Sequence, residues 1–383
     1  MPTTTKPLAG VRVLELARIL AGPWAGQVLA DLGADVIKVE SPTGDDTRSW
    51  GPPFVERDNG DKDAAYFFSC NRGKRSTVVD FKTNEGQAEV RRLAEQADVV
   101  IENFKVGGLA QYELDYHHLQ KLNPRLIYCS ITGFGQNGPY ADQAGYDFII
   151  QGLSGIMDLT GEPHQAPQKI GVAYADIFTG LYSVIAIQAA LRQRETTGCG
   201  QHIDMALLDS MVGVLGNQAL NYLVSGVSPT RMGNKHPNIA PYESFATKDS
   251  WVIIAVGNNK QFKLLCQELG MANLLDDQRF ESNAQRLNHR NELSQLVASA
   301  CAKFSTTELV DKLSKQGVPT SPINSVEQAL NNPQTQHRGM VLGDPSIKSE
   351  PGGIRTPIRS SAYTTDTQQT SPRLNEHPKP NWK

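Results

Sequence analysis

Val11-Arg-Val-Leu-Glu-Leu16, Ala21-Gly-Pro-Trp-Ala-Gly-Gln-Val-Leu-Ala-Asp-Leu32 and Asp35-Val-Ile-Lys-Val-Glu40 read in turn as strand, helix and strand. The outer segments are short apolar runs rich in β-branched residues. The middle one has helical spacing and opens near Pro23, a residue suited to a first helical turn. Strands joined through a helix lie parallel in one sheet. The alternation continues with strands at 76–80, 98–102 and 126–130 and helices at 85–96 and near 114–122. A long apolar helix follows Asp176, then a strand at 202–206 and helical residues to about Leu223. The first half is therefore expected to be an open α/β sheet with helices on both faces.

The texture changes at Ser225 to Pro241, rich in Gly, Pro and Asn, which reads as a crossing linker. Beyond it, a strand at 251–256 and helices at 260–269, 285–304 and 306–316 point to a smaller α+β domain over 225–324. Residues 1–224 and 325–383 are assigned to the large domain. Short strand-like pieces such as Met340 to Leu342 follow.

The chain has 383 residues, and 37 Lys+Arg against 40 Asp+Glu leave a formal charge of -3. No overall basic field points to nucleic acid or an anionic membrane, so small-molecule chemistry is expected. Cys70, Cys129, Cys199, Cys266 and Cys301 are scattered, without a Cys-x-x-Cys pair, and read as free thiols in a reducing compartment. The N-terminus lacks a signal-peptide pattern, and the apolar run near Val184 reads as too short and interrupted to span a bilayer. A cytoplasmic location is expected. The histidines form no His-x-x-x-His or Cys-x-x-His grouping, and no metal site is expected.

Asp176 stands in Gly171-Val-Ala-Tyr-Ala-Asp-Ile, at the front of the apolar helix carrying Leu181, Val184, Ile185, Ile187 and Ala190. That helix reads as buried, and a carboxylate near its N-terminus is stabilised by free N–H groups and the helix dipole. A plain N-cap and a functional acid both fit this spacing. Gly133-Phe-Gly135-Gln-Asn-Gly138 matches the dinucleotide fingerprint, yet Pro139 follows and no tightly packed helix opens there, so nicotinamide binding is not expected. Asn71-Arg-Gly-Lys-Arg75 is a basic cluster that fits either a solvated turn or an anion site.

Taken in order, several blocks resemble the class III CoA-transferases, the formyl-CoA transferase and carnitine CoA-transferase group, over nearly the whole chain. They are Pro7 to Leu16, Leu20-Ala-Gly-Pro23, Gly33 to Glu40, Gly44-Asp-Asp-Thr-Arg48, Asn71 to Ser76, Glu102-Asn-Phe104, Gly133 to Pro139, Gly145-Tyr-Asp147 and the Asp176 segment. The resemblance implies a Rossmann-like large domain and a small domain, joined by linkers near 225–241 and 319–334, in an interlocked homodimer. It gives Asp176 the nucleophile's role: attack on an acyl-CoA thioester, an aspartyl mixed anhydride, then an aspartyl-CoA thioester. On this reading the dipole keeps the acid ionised. Coenzyme A is a substrate and no cofactor is permanently bound.

The same resemblance puts CoA contacts at Leu20 and Ala21, at Val79 to Lys82, at Asn103, Phe104 and Lys105, and at Ala144 to Asp147, Tyr146 among them, with Lys82 and Lys105 facing CoA phosphates. Arginines of the formyl-CoA members are replaced by Ser41 and Gln111, so Arg48, Arg72, Lys74 and Arg75 are the alternative cations. Trp50 lies beside them in the block Asp45 to Phe54. The loop that covers the active site in formyl-CoA transferase matches Gly233 to Tyr242 and contains His236. Racemases of this fold need a histidine where this chain has Tyr146, and a tyrosine with an ordinary pKa near 10 is a poor relay. Racemase and a non-catalytic CoA-binding protein are the alternatives. Asp45 to Phe54, Tyr128 to Gly133 and Val256 to Phe262 most resemble succinyl-CoA:glutarate-type transferases, implying a dicarboxylic acceptor whose second carboxylate meets Arg48 or Lys235.

Overall fold

The structure, a computed structural model, describes residues 5–343, 347, 349, 351–365 and 369–383. Its contacts divide the chain into one unit of Met1–Ile156, Lys169–Ser225 and Pro333–Lys383 and a second of Met157–Gln168 and Gly226–Asn332.

The first unit opens with β1 (Arg12–Glu15), α1 (Ala21–Asp31) and β2 (Asp35–Glu40). A hairpin of β3 (Phe54–Glu56) and β4 (Lys62–Ala64) and a turn of helix, α2 (Ala65–Phe68), precede β5 (Arg75–Val78). Then come α3 (Asn84–Gln96), β6 (Val99–Glu102), α4 (Tyr116–Leu122) and β7 (Ile127–Thr132). After α5 (Asp147–Leu153) and α6 (Ile156–Leu159), α7 (Tyr174–Thr197) leads to β8 (Gln201–Ala206), α8 (Leu207–Gly213) and α9 (Asn217–Ser225). Six strands form one sheet in the order β5-β2-β1-β6-β7-β8, with every pair parallel.

Alternation along each strand builds two cores. Val13, Val99, Ile101, Ile127 and Cys129 meet Val28 and Leu29 of α1 and Val184 and Ile187 of α7 on one face. Leu14, Val100 and Tyr128 meet Val90 and Leu93 of α3 and Leu119 of α4 on the other. Each such large aliphatic residue contributes about 1.5–3 kcal/mol by leaving water. The chain lays β1, β2 and β5 outward in one direction, and α3 returns it to place β6 on the other side of β1. The crevice at the carboxyl ends of β1 and β6 is the switch point where open α/β sheets bind ligands. The C-terminal segment returns to this unit: His377 N–H donates to Ser76 O at 2.9 Å and Trp382 Nε1 to Leu93 O at 3.1 Å.

Helix α7 departs from its expected character in two ways. It is 24 residues long and contains an 18-residue stretch with a mean hydropathy of 1.3, long and apolar enough to cross a bilayer, which corrects the expectation of too short a run. It is also not buried all round. Ala175, Thr179, Gly180, Ser183, Val184, Ile187 and Ala190 pack inward, while Leu181, Tyr182 and Ile185 are exposed in the single chain. The inward stripe at i, i+4 spacing makes it a core helix of this unit.

In the second unit, β9 (Tyr242–Ala246), β10 (Trp251–Ala255) and β11 (Thr320–Pro322) form an antiparallel sheet. It shares a core with α10 (Asn259–Glu268), α12 (Arg290–Cys301) and α13 (Thr306–Lys315). The expected helix at 285–304 is two: α11 (Asn283–Asn288) and α12 meet at His289, whose φ of -109° and ψ of 26° leave the helical region. Met157–Gln168, read from sequence as part of the large domain, lies in this unit. There Gly233 N–H donates to Gly161 O at 3.0 Å, and Arg231 donates to Asp158 O at 3.0 Å.

Candidate active site

Asp176 occupies the first turn of α7, and Asp147 occupies the first turn of α5. Gly133 and Gly145 make this arrangement possible. A Cβ on either would lie 2.4 Å from the other's Cα, so only glycine lets the chain leaving β7 pass the segment entering α5. The glycines of the apparent fingerprint serve that approach and a turn at Gly135 and Gly138, both with positive φ; no helix opens before Asp147. Asp147 Oδ1 then accepts the Ala175 N–H at 2.9 Å, and its Oδ2 accepts Gln151 Nε2 at 2.8 Å. Gln151 Oε1 in turn takes the Ile170 N–H at 2.9 Å and anchors the approach to α7.

The nucleophile candidate is left unpaired by this scaffold. Among the described residues no hydrogen bond reaches its carboxylate. Burial, and secondly the charge of Asp147, push the Asp176 carboxyl up to about 7. The helix N-terminus does not offset this, since Asp147 already takes the Ala175 N–H and Ala173 O takes that of Ile177 at 3.1 Å. An unpaired carboxylate is more nucleophilic than one held in hydrogen bonds.

Tyr66, from α2, was not singled out in the sequence. Its phenol is pushed up to about 12 by burial and then by the charge of Asp176, so it stays protonated at neutral pH within electrostatic reach of that acid. The half-exposed Trp50 packs edge-on against it, ring centroids 5.5 Å apart. Only its register two residues after the hairpin could have hinted at this placement. Tyr146 is 65% exposed.

A second cluster lies at the switch point. Arg18 N–H donates to Asn103 Oδ1 at 2.8 Å, and Asn103 Nδ2 returns a bond to Arg18 O at 2.7 Å. The Arg18 guanidinium stands 5.7 Å from the Phe104 ring centre, and Phe81 packs edge-on against Phe104 at 5.6 Å. Segments 18–21, 79–82 and 103–105 are thus adjacent, with Arg18, Lys82 and Lys105 exposed. Leu20, Ala21 and Val79 are buried, which leaves their backbone rather than their side chains to face a ligand. Arg18 is a cation that motif reading missed.

The alternative cations are elsewhere. Arg48 is buried, bonded to Glu40 through Nε and Nη2, both at 2.8 Å, and to Asp63 at 3.0 Å, with Phe67 3.6 Å beneath it. Arg72 pairs with Asp31 at 2.6 Å, Lys74 with Glu15 at 2.8 Å, and Arg75 with Asp35. The charges of Arg48, Arg72 and Lys74 are neutralised inside the fold, which weighs against the expectation that they serve CoA phosphates. Arg75 is half-buried and also donates to Asn381 O at 2.8 Å. In the second unit, His236 Nδ1 accepts the Asn238 N–H at 3.1 Å and its ring packs on Tyr242. Lys235 lines a cleft there of about 530 Å³ with Glu162, Trp251 and Ile323.

The sequence profile of CoA-transferase family III matches residues 8–378. A succinate–glutarate CoA-transferase of Agrobacterium fabrum is 56% identical over 98% of this chain and 95% of its own length. The succinyl-CoA:glutarate CoA-transferase of Homo sapiens is 39% identical over 97% of this chain and 84% of its own. The crystal structure of a CAIB/BAIF family protein from Brucella suis has a TM-score of 0.89, 59% identity and 98% coverage of both chains. A carboxylate in a helix's first turn, a sheet crevice lined by three motif segments and a match along almost the whole chain lead to one assignment: the protein belongs to CoA-transferase family III and is a CoA-transferase.

Proposed function

We propose that this CoA-transferase moves CoA from succinyl-CoA to glutarate or a closely related short dicarboxylic acid. The observation that carries the mechanism is the unpaired Asp176 carboxylate, set in the first turn of α7 and within electrostatic reach of Asp147 and Tyr66. Asp176 attacks the thioester carbonyl of the donor. The C–S bond breaks, and CoA thiolate leaves an aspartyl mixed anhydride. The thiolate then attacks the aspartyl carbonyl, expelling the donor acid and forming an aspartyl-CoA thioester. The acceptor carboxylate attacks that thioester, and the returning thiolate takes the acceptor acyl group and frees Asp176. Every step passes through an oxyanion, and a protonated Tyr66 beside the nucleophile is suited to donate to it.

The acyl-CoA lies in the crevice between β1 and β6. Backbone at Leu20 and Ala21 and the residues Asn103 and Phe104 contact it, and Arg18, Lys82 and Lys105 supply charge for its phosphates. The working form is a homodimer, which the apolar faces of neighbouring helices support: Phe148, Ile149 and Leu153 of α5 and Leu181, Tyr182 and Ile185 of α7 are exposed in one chain.

The test is a donor-by-acceptor screen of the purified protein with intact-mass detection. CoA exchange between succinyl-CoA and glutarate, with a CoA adduct abolished in Asp176→Ala, is expected. Absence of adduct and exchange across a broad acid panel would reject the reading.

A further inference from the structure

Ile19 has a φ of 69°, a left-handed backbone that β-branched residues rarely adopt. It is held there from several sides. Its N–H donates to Asp45 Oδ1 at 3.3 Å and Oδ2 at 3.2 Å. Asp45 is buried and fixed by the Thr47 N–H at 3.0 Å and the Thr47 hydroxyl at 2.7 Å. Lys38 Nζ reaches Asp45 Oδ2 at 2.9 Å, Glu15 Oε1 at 3.1 Å and Ala17 O at 2.8 Å. Lys74 Nζ extends the chain of charges, to Glu15 Oε2 at 2.8 Å and to Pro23 O at 2.8 Å.

The buried series Asp45, Lys38, Glu15 and Lys74 therefore grips the β1–α1 connection at Ile19 N–H, Ala17 C=O and Pro23 C=O. The intervening groups are held as well. Asn103 takes both backbone groups of Arg18, and the Cys70 thiol points to Ile19 O at 3.5 Å. Gly26 gives the carboxylate its room, since a Cβ there would fall 1.9 Å from Glu15 Oε2. Alternating buried charges seldom add more stability than apolar side chains of the same size. Their effect here is to fix a strained backbone at the sheet's switch point, where dinucleotide-binding folds use glycine to reach positive φ.

We infer that Asp45 is a positioning residue for acyl-CoA. Anchored by Lys38, it holds Ile19 in a conformation that shapes the β1–α1 connection to receive the CoA moiety. This rests on the reading of that crevice as the acyl-CoA site. Asp45→Asn keeps the size of the side chain but loses its charge, and the connection relaxes away from positive φ.

Two readouts test it in the full-length enzyme: steady-state kinetics, and calorimetric titration with free CoA. Asp45→Asn is expected to raise the KM for acyl-CoA and the Kd for CoA about tenfold. Its kcat and the KM for the acceptor acid should stay within about twofold. In the Asp45→Asn background, adding Ile19→Gly should recover CoA affinity better than adding Ile19→Ala, because glycine reaches positive φ without a clamp. With Asp45 intact, Ile19→Gly should melt above Ile19→Ala, the reverse of their order at ordinary backbone positions. If Asp45→Asn is not recovered folded, Thr47→Val removes the hydroxyl bond to the same carboxylate with little change of shape, loosens the clamp and should raise the CoA Kd about threefold. Unchanged CoA affinity in the folded Asp45 or Thr47 variant, or glycine no better than alanine, would overturn the inference. A wild-type protein that binds CoA but performs no exchange would instead count against the transferase scheme, leaving the clamp to be judged by titration.

Discussion

Asp147 accepts the backbone N–H of Ala175 at 2.9 Å, so one carboxylate caps the helix whose next residue, Asp176, is the proposed nucleophile. The cap and the charge act in opposite senses on the reaction: the bond orients the first turn, while the negative charge holds a proton on Asp176. Asp147→Asn keeps an acceptor oxygen for Ala175 and removes the charge. The rising acid limb of the kcat/KM profile, expected near pH 7 in the wild type, should move to lower pH by on the order of half a unit. A shift to higher pH would contradict the coupling.

The same raised pKa makes a stability claim. Asp176 titrates near 7 in the folded chain and near its ordinary 3.8 when unfolded, so between these values the folded state holds a proton that the unfolded state has released. Wild-type stability contributed by this group therefore falls as pH rises through that window. Asp176→Asn should abolish exchange and, at pH 8, stabilise the fold by about 2 kcal/mol, roughly half the full conversion because the carboxylate is partly exposed. Urea unfolding at pH 5 and pH 8 measures the difference, and an equal effect at both pH values would refute it.

Tyr66→Phe removes a hydroxyl and little else. As a donor to the tetrahedral oxyanions, Tyr66 should be worth about 10²-fold in kcat. The KM for acyl-CoA should change less than threefold, since the phenol is assigned to the reacting centre rather than to the nucleotide crevice. Stopped-flow accumulation of the CoA adduct would show the slowed step.

Arg48 separates a structural cation from a ligand. Arg48→Met leaves Glu40 and Asp63 buried without their shared guanidinium and should lose about 3–5 kcal/mol in denaturant titration. The KM for acyl-CoA, measured on the folded fraction below the transition, should match the wild type. A raised KM with intact stability would return Arg48 to the binding site.

Ile185 tests assembly. The residue is 61% exposed in the single chain, so Ile185→Asp should change the stability of an isolated unit by no more than about 0.5 kcal/mol. If the apolar face of α7 meets a second copy, the same substitution buries a charge and should prevent the dimer. Light scattering on the two proteins at equal concentration distinguishes the outcomes.

Local pattern determined a good deal on its own. The order of strands and helices follows from apolar periodicity, which depends on neighbours in sequence, and the helix bearing Asp176 is set by the same rule. The segments 18–21, 79–82 and 103–105 were legible as motifs because each is a short loop at a strand's carboxyl end, where backbone shape is locally encoded. Pairing across the chain was not legible. Lys74 meets Glu15, and Arg48 meets Asp63, only after the sheet brings them together, so exposed-looking cations became buried ones. Tyr66 and Asp176, 110 positions apart by number, become coupled for the same reason, and the outward face of α7 is visible only once its inward stripe is packed. Composition and spacing decide which residue types are present and on which elements. Burial and long-range charge pairing decide which of them remain free for chemistry, and these are properties of the folded chain alone.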